Sequence, residues 1–314
     1  MTVTAPGAEV ARSSEFAGTD LVLTAGIYYT DRGNVRFETS LEFTERARDA
    51  GVPTVFVDAS PEATQGTWVA DAHRERGAVV LRAEVPGIAT QRQQGVAYAV
   101  DNGAEKVVGT ESEKPLVPTF AAQLSEALDT TDILVVGRTP EALASMPPVQ
   151  KRTEHLAGWI LQRAHHLPPD ALAGPRGFSV AGAAVLAEYP SAQKGMNNWI
   201  YLYDTPLVAR QRGLQVGHVA LNFTYPAGMV AEETGSPVFD GKRYDQFELQ
   251  LTYLLDQAKL PEGVTIEKDS AGMVSYVRYM LEHFEGASLQ KKADIIDHIR
   301  YTLSTRYGYE LPRP

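Results

Sequence analysis

Five short apolar runs alternate with four stretches of helical periodicity between Leu21 and Arg138, and this rhythm constrains the fold more than any other feature of the chain. The runs are "DLVLTAGIYY", "PTVFVDAS", "AVVLRAEV", "KVVGT" and "DILVVGR". Between them lie "FETSLEFTERARDAG", "TWVADAHRERG", "TQRQQGVAYAVDNG" and "PTFAAQLSEALDT". Phe37, Leu41 and Thr44 share one helical face and Gly51 is a natural stop; Phe120, Leu124 and Leu128 share another face. Parallel strands need crossover helices, so the alternation predicts an α/β layered domain with a mostly parallel sheet.

After Pro140 the rhythm breaks. "SMPPVQKRTEHLAGWILQRAHHLPPD" holds one amphipathic helix between proline pairs, and "RGLQVGHVALNFTYP" reads as a further strand. From Arg243 onward three helical stretches dominate, with Phe247, Leu251, Tyr276, Met280 and Phe284 in apolar stripes. These stripes are expected to cover the sheet or a subunit interface, the second giving a homodimer. The organisation expected is a loose tail over 1–19, one α/β half over 20–140, a second half over 141–240 and a helical extension over 241–314.

Composition narrows the function. With 29 Lys and Arg against 39 Asp and Glu, the formal net charge is -10 and no basic patch forms, which disfavours a nucleic-acid partner. No apolar run is long enough to span a bilayer, and the opening residues lack the pattern of a signal peptide, so a cytoplasmic protein with no membrane partner is expected. The absence of cysteine removes thiolate metal sites, iron–sulfur clusters and cysteine nucleophiles.

Several motifs fail. "TAGIYYTDRGN" lacks the G-x-G-x-x-G of a dinucleotide fold, and no G-x-x-x-x-G-K-[ST] occurs. "GFSVA" resembles a nucleophile elbow at Ser179, with Asp204 and His218 following, but no apolar strand precedes it. His218 itself sits in an apolar run, as a core histidine or a metal ligand.

"EKVVGTESEKPLVPTF" is more informative, because a strand ends there in two carboxylates, Glu111 and Glu113. Residues two apart on a strand face one side, so the pair needs either open water or a cation between its members.

Three segments together resemble the nucleotide-sugar-binding half of GT-A glycosyltransferases of the family 2 type. "VFVDASPEAT" is similar to the strand ending in an aspartate that contacts the nucleoside, here Asp58. "GIATQRQQGVAYAVDNGAEKVV" is similar to the helix carrying a basic residue, here Arg92. "GTESEKPLV" stands where the family has D-x-D, as an E-x-E.

The resemblance implies a GT-A, Rossmann-like fold with a helical C-terminal extension. It also implies a hexosyltransferase that moves sugar from a nucleotide-diphosphate donor to a small-molecule acceptor. Mg²⁺ or Mn²⁺ would be held by Glu111 and Glu113, with His218 as a further ligand; Gly26, Tyr28, Asp58, Arg92 and Glu111 would bind the donor. "NNWIYLYDTPLVARQRGLQVGHVALNF" fits the family's acidic pair, helix and strand, with Asp204 as the catalytic base and Tyr203 in place of the first acid; Asp170 is the reserve base. The alternatives are a sugar-phosphate nucleotidyltransferase on the same scaffold and a catalytically silent sugar-nucleotide binder.

Overall fold

The computed structural model describes residues 15–61, 66–193, 195–256 and 268–309. The chain alternates as the sequence predicts: β1 (Val22–Ile27), α1 (Val35–Asp49), β2 (Thr54–Asp58), α2 (Gly66–Arg74), β3 (Val79–Arg82), α3 (Ile88–Asp101), β4 (Lys106–Glu111), α4 (Ala121–Leu128) and β5 (Ile133–Arg138). Two helices follow, α5 (Pro140–Ala144) and α6 (Pro148–His165). Then come β6 (Arg176–Ser179), α7 (Val180–Ala187), α8 (Tyr201–Gln211), β7 (Val216–Leu221) and α9 (Ala227–Glu233). The helices α10 (Pro237–Asp256), α11 (Lys268–Leu281) and α12 (Leu289–Tyr307) close the chain.

The strands form one sheet in the order β3-β2-β1-β4-β6-β5-β7. All neighbours run parallel except β6, which is antiparallel to β4 and to β5. The fold is therefore α/β with a mostly parallel sheet flanked by helices. Strands from both expected halves share this sheet, because β6 and β7 bracket β5.

Burial follows from this layering. Every residue of β2 and of β5 is buried, as strands covered on both faces must be. Apolar side chains of α3, α6 and α8 fill one layer, joined by Phe247 and Leu251 of α10 and by Phe284; a second layer holds Phe37, Phe43, Phe56 and Leu124. The apolar stripe of the C-terminal helices is thus satisfied within the chain. Tyr309, just beyond α12, is buried too, with its ring edge against Trp159 of α6.

The ends of α1 show local sequence at work. Asn34 caps it, its Oδ1 accepting the Arg36 N–H at 2.8 Å, and Ala50 and Gly51 close the far end through bonds to Arg46 and Arg48 carbonyls. Between them the helix buries Phe37, Ser40, Phe43, Thr44 and Ala47 against the sheet. No helix among the described residues is long and apolar enough to cross a membrane.

Candidate functional site

Strand order reverses beside β1: the chain runs outward through β2 and β3, then returns to place β4 on the other side. In open α/β sheets such a reversal leaves a crevice at the carboxyl ends of the strands. A cleft of about 110 Å³ lies to the β5 side of that reversal, where Glu111 and Arg138, the last residues of β4 and β5, meet side chains of α6 and α10, and Gly26, Tyr28 and Asp58 do not line it.

Glu111 and Glu113 both line the cleft, though not because both lie on a strand. Glu111 ends β4, whereas Glu113 sits in the turn that follows, closed by the Lys114 N–H on the Glu111 carbonyl. Each carboxylate has its own cation. Lys114 Nζ lies 2.6 Å from Glu111 Oε2, and Arg36 Nη1 lies 2.6 Å from Glu113 Oε2. Burial raises the Glu111 pKa, but Lys114 and Arg92 outweigh it and hold the group below the ordinary carboxylate value. Gly174, at φ +95°, makes room for this carboxylate, since a Cβ there would strike the Glu111 oxygens.

Arg36 stands in the first turn of α1, where the helix dipole disfavours a cation. Acids compensate. Besides Glu113 it meets Glu232 at 3.1 Å and the buried Glu233. Arg243 of α10 reaches Glu233 Oε2 at 2.8 Å, and Tyr225 donates to Glu233 Oε1 at 2.7 Å. Burial raises the Glu233 pKa, yet Arg243 and the other donors outweigh it and keep the group ionised. Lys242 also lines the cleft; desolvation, with Arg243 and Arg36 nearby, lowers its pKa.

A second network forms the floor. Arg138 grips Asp170 with two guanidinium bonds of 2.8 and 2.6 Å, and its backbone N–H donates to the same carboxylate at 2.7 Å. It also reaches Glu154 at 2.7 Å, and Glu154 accepts from Gln150 Nε2 at 2.7 Å. Arg36, Lys114, Arg138 and Arg243 are therefore each held by a carboxylate, whereas Lys242 has no ion pair among the described residues.

Of the other residues expected at the site, Gly26 lies opposite Glu111 in the β1–β4 register. Tyr28 is exposed just beyond β1. Asp58 ends β2 and is 2% exposed, with Oδ1 accepting the Ser60 N–H at 2.8 Å and Oδ2 3.9 Å from Arg82 Nη1; burial raises its pKa. Arg92 is directed away from the cleft. Its guanidinium is buried against Gly109, where a Cβ would collide with it, and bonds the Thr24 carbonyl at 2.9 Å, the Thr110 carbonyl at 2.5 Å and Tyr201 Oη at 3.1 Å.

Asp204, the expected base, lies on α8 outside the cleft lining, and burial raises its pKa. Asp170 serves as the clamp on Arg138. His218 is on β7, also outside the lining, beside the Pro169 carbonyl; burial lowers its pKa. Ser179 caps α7 and bonds Asp132 at 2.9 Å, so it forms no triad with His218.

The expected ligand set of Glu111, Glu113 and His218 does not come together at one point. The two glutamates are closed on separate cations, His218 lies elsewhere, and no group of three or more His, Asp or Glu side chains suited to a metal occurs among the described residues.

Arg36, Arg138, Glu154, Glu233, Lys242 and Arg243 were not among the residues expected. Two of them leave a trace in the sequence: Arg36 is a cation at a helix start, and Arg138 is a charge closing an apolar strand. Both positions demand counter-ions, but the sequence does not show from where these come.

No family model matches the sequence, and no curated protein matches it. Solved structures with a similar fold include a protein described as a nucleotide-diphospho-sugar transferase from Desulfovibrio desulfuricans G20, at 9% identity over 84% of this chain and 98% of that one, with a TM-score of 0.42. A nucleoside-diphosphate-sugar pyrophosphorylase from Vibrio cholerae RC9 is 16% identical over 68% of this chain and 98% of its own, with a TM-score of 0.39. S. aureus TarS 1-349, in complex with UDP-GlcNAc, is 11% identical over 91% of each chain, with a TM-score of 0.37. At these values the likenesses carry no conclusion about chemistry, and the reading of this cleft rests on its own residues.

Proposed function

We propose that this chain is a transferase that takes a nucleoside-diphosphate sugar into the cleft and passes the glycosyl group to a small hydroxylated acceptor. The carrying observation is the cleft at the carboxyl ends of β4 and β5, walled by Arg36, Lys114, Lys242 and Arg243. Cations gathered at strand ends suit the charge that develops when a diphosphate leaves. In the transfer, the bond from the anomeric carbon to the β-phosphate oxygen breaks and its electron pair departs with the diphosphate. The acceptor oxygen bonds to that carbon, and its proton passes to a carboxylate of the cleft.

Since each of Arg36, Lys114 and Arg243 already holds a carboxylate, the diphosphate enters by exchange. It competes with Glu113 and Glu232 for Arg36. When Arg36 turns to phosphate, Glu113 is released at the edge of the cleft with its oxygen free to accept the proton of the acceptor hydroxyl. Glu113 therefore takes the role first expected of Asp204.

The test is calorimetry with nucleoside diphosphates, followed by product analysis. Glycosylated acceptor and free nucleoside diphosphate support this reading. Consumption of a nucleoside triphosphate with release of pyrophosphate replaces it with the nucleotidyltransferase, and binding without turnover leaves a silent binder.

A further inference from the structure

One wall of the cleft is built from two helices rather than from strand ends. Gln150 and Glu154 of α6 face Gln246 and Gln250 of α10, each pair four residues apart and so on one helical face. Gln150 is 7% exposed, and its Oε1 has no hydrogen-bond partner. Its orientation is fixed by chemistry: Nε2 donates to Glu154, and turning the amide over would set two acceptors against each other. An acceptor with no donor is therefore buried in a wall of the cleft, which Gln150 lines. Leaving such an atom unpaired is costly, so a ligand that supplies the donor gains by it.

The neighbouring amides define what that ligand offers. Gln246 Oε1 accepts from Arg243 at 3.0 Å, which leaves its NH₂ to donate outward. Gln250, 8% exposed, lines the cleft and makes no hydrogen bond among the described residues. Donors and acceptors are thus mixed on one surface. A phosphate supplies no donor for Gln150, and an ammonium supplies no acceptor for the free NH₂ groups. Hydroxyls do both. Trp199 and Phe247 line the same cleft and offer apolar surface for the C–H face of a ring.

We propose that Gln150, Gln246 and Gln250 form a subsite that reads the hydroxyl groups of a neutral polyhydroxylated ring. That ring is the hexosyl group of the donor or a sugar-like acceptor. The inference rests on the transferase reading for its place in a reaction, but the recognition itself rests on the amides.

The experiment measures the gain in affinity when UDP, GDP and ADP are each replaced by their glucose esters, in wild type, Gln150→Met and Gln250→Met. Methyl glucoside titrated with and without the nucleoside diphosphate covers the acceptor source. Melting curves show that each variant is folded, and Gln250→Met stands in should Gln150→Met fail to fold. The expected result is that sugar-dependent affinity falls roughly tenfold in the variants while binding of the bare nucleoside diphosphate is unchanged. Loss confined to the glucose esters identifies the donor ring; loss confined to methyl glucoside identifies the acceptor. Should no nucleoside diphosphate bind wild type, the transferase reading fails, and the methyl glucoside titration alone decides the subsite. Sugar affinities equal in wild type and both variants, or no sugar affinity in wild type, overturn the proposal.

Discussion

Glu113 and Arg36, 77 residues apart in the chain, meet at 2.6 Å at the edge of the cleft, so the second carboxylate of the E-x-E is neutralised by a side chain. This pairing reverses the sign of one experiment. If Glu113 held a metal against a diphosphate, Glu113→Gln would weaken nucleotide binding. If it competes with the diphosphate for Arg36, the same change frees the guanidinium. Affinity for a nucleoside diphosphate without metal should then rise by about threefold to tenfold, and turnover should fall as the base is lost. Calorimetry with and without Mn²⁺ measures the first effect, and weaker binding in the variant rejects the exchange.

Arg138 is 7% exposed and satisfies Asp170 and Glu154 together. Arg138→Met keeps much of the volume and leaves two carboxylates without their cation, which should destabilise the fold by about 3–5 kcal/mol. Arg138→Lys should recover only part of this, since one ammonium cannot copy the two-pronged grip on Asp170. Urea unfolding measures both, and a stable Arg138→Met variant contradicts the account.

His73 is fully buried between Thr44 and Ser40, with Nδ1 2.8 Å from Thr44 Oγ1, and burial lowers its pKa from 6.5 to about 3. Between those values the unfolded chain binds a proton that the native state refuses. Stability should therefore decline as pH falls from 6.5, by up to about 1.4 kcal/mol per pH unit from this group. Glu111 and Glu233, with lowered pKa values, lose their contribution only below the ordinary carboxylate value of 4.5. Comparing melting temperatures of wild type and His73→Gln from pH 7 to pH 5 isolates the histidine. Parallel curves would show that it titrates normally.

Asn197 caps a helix from a distance. Its Oδ1 accepts the Ala89 and Thr90 N–H groups at 3.1 and 3.2 Å at the start of α3, where Gly87 has no side chain to do so. Asn197→Ala should cost about 1 kcal/mol. Two residues on, Trp199 lines the cleft, so the variant should also speed amide exchange through that segment. Unchanged exchange there would separate the cap from the cleft.

The parallel part of the fold was legible because its signal is local. Thr54–Asp58, Lys106–Glu111 and Ile133–Arg138 lie within the apolar runs that the sequence displays, and the helices between them have their own periodicity. β6 was not legible. Arg-Gly-Phe-Ser has no strand-like apolar run; it becomes a strand because β4 and β5 hold it on both sides. Its arginine is buried in the process and satisfied by the nearby Pro175 and Ala171 carbonyls and by the distant Leu202 carbonyl.

At the site, Glu111 and Glu113 stood out because acids that close an apolar run conflict with their surroundings. Part of the remedy stood in the same stretch, as Lys114, and the rest lay on a distant one, as Arg36. Asp204 and Arg92 matched a pattern of spacing, yet spacing does not fix which way a helix turns its side chains. Arg92 faces under the sheet toward Thr24 and Thr110. The amides of α6 and α10 left no trace in the sequence, since two polar helix faces acquire meaning only when they oppose one another across a cleft.

The reversed strand has a consequence for how the chain is made. During synthesis β5 emerges before either of the strands it pairs with, β6 and β7. Until residue 179 has left the ribosome, β4 keeps an open edge and β5 has no sheet to join. The first 140 residues thus carry an open edge on β4 and a β5 unpaired on both sides, a form prone to association with other chains. The nascent chain needs protection until Arg176–Ser179 locks the two parts of the sheet together, and a protein truncated after β5 should be recovered in aggregates.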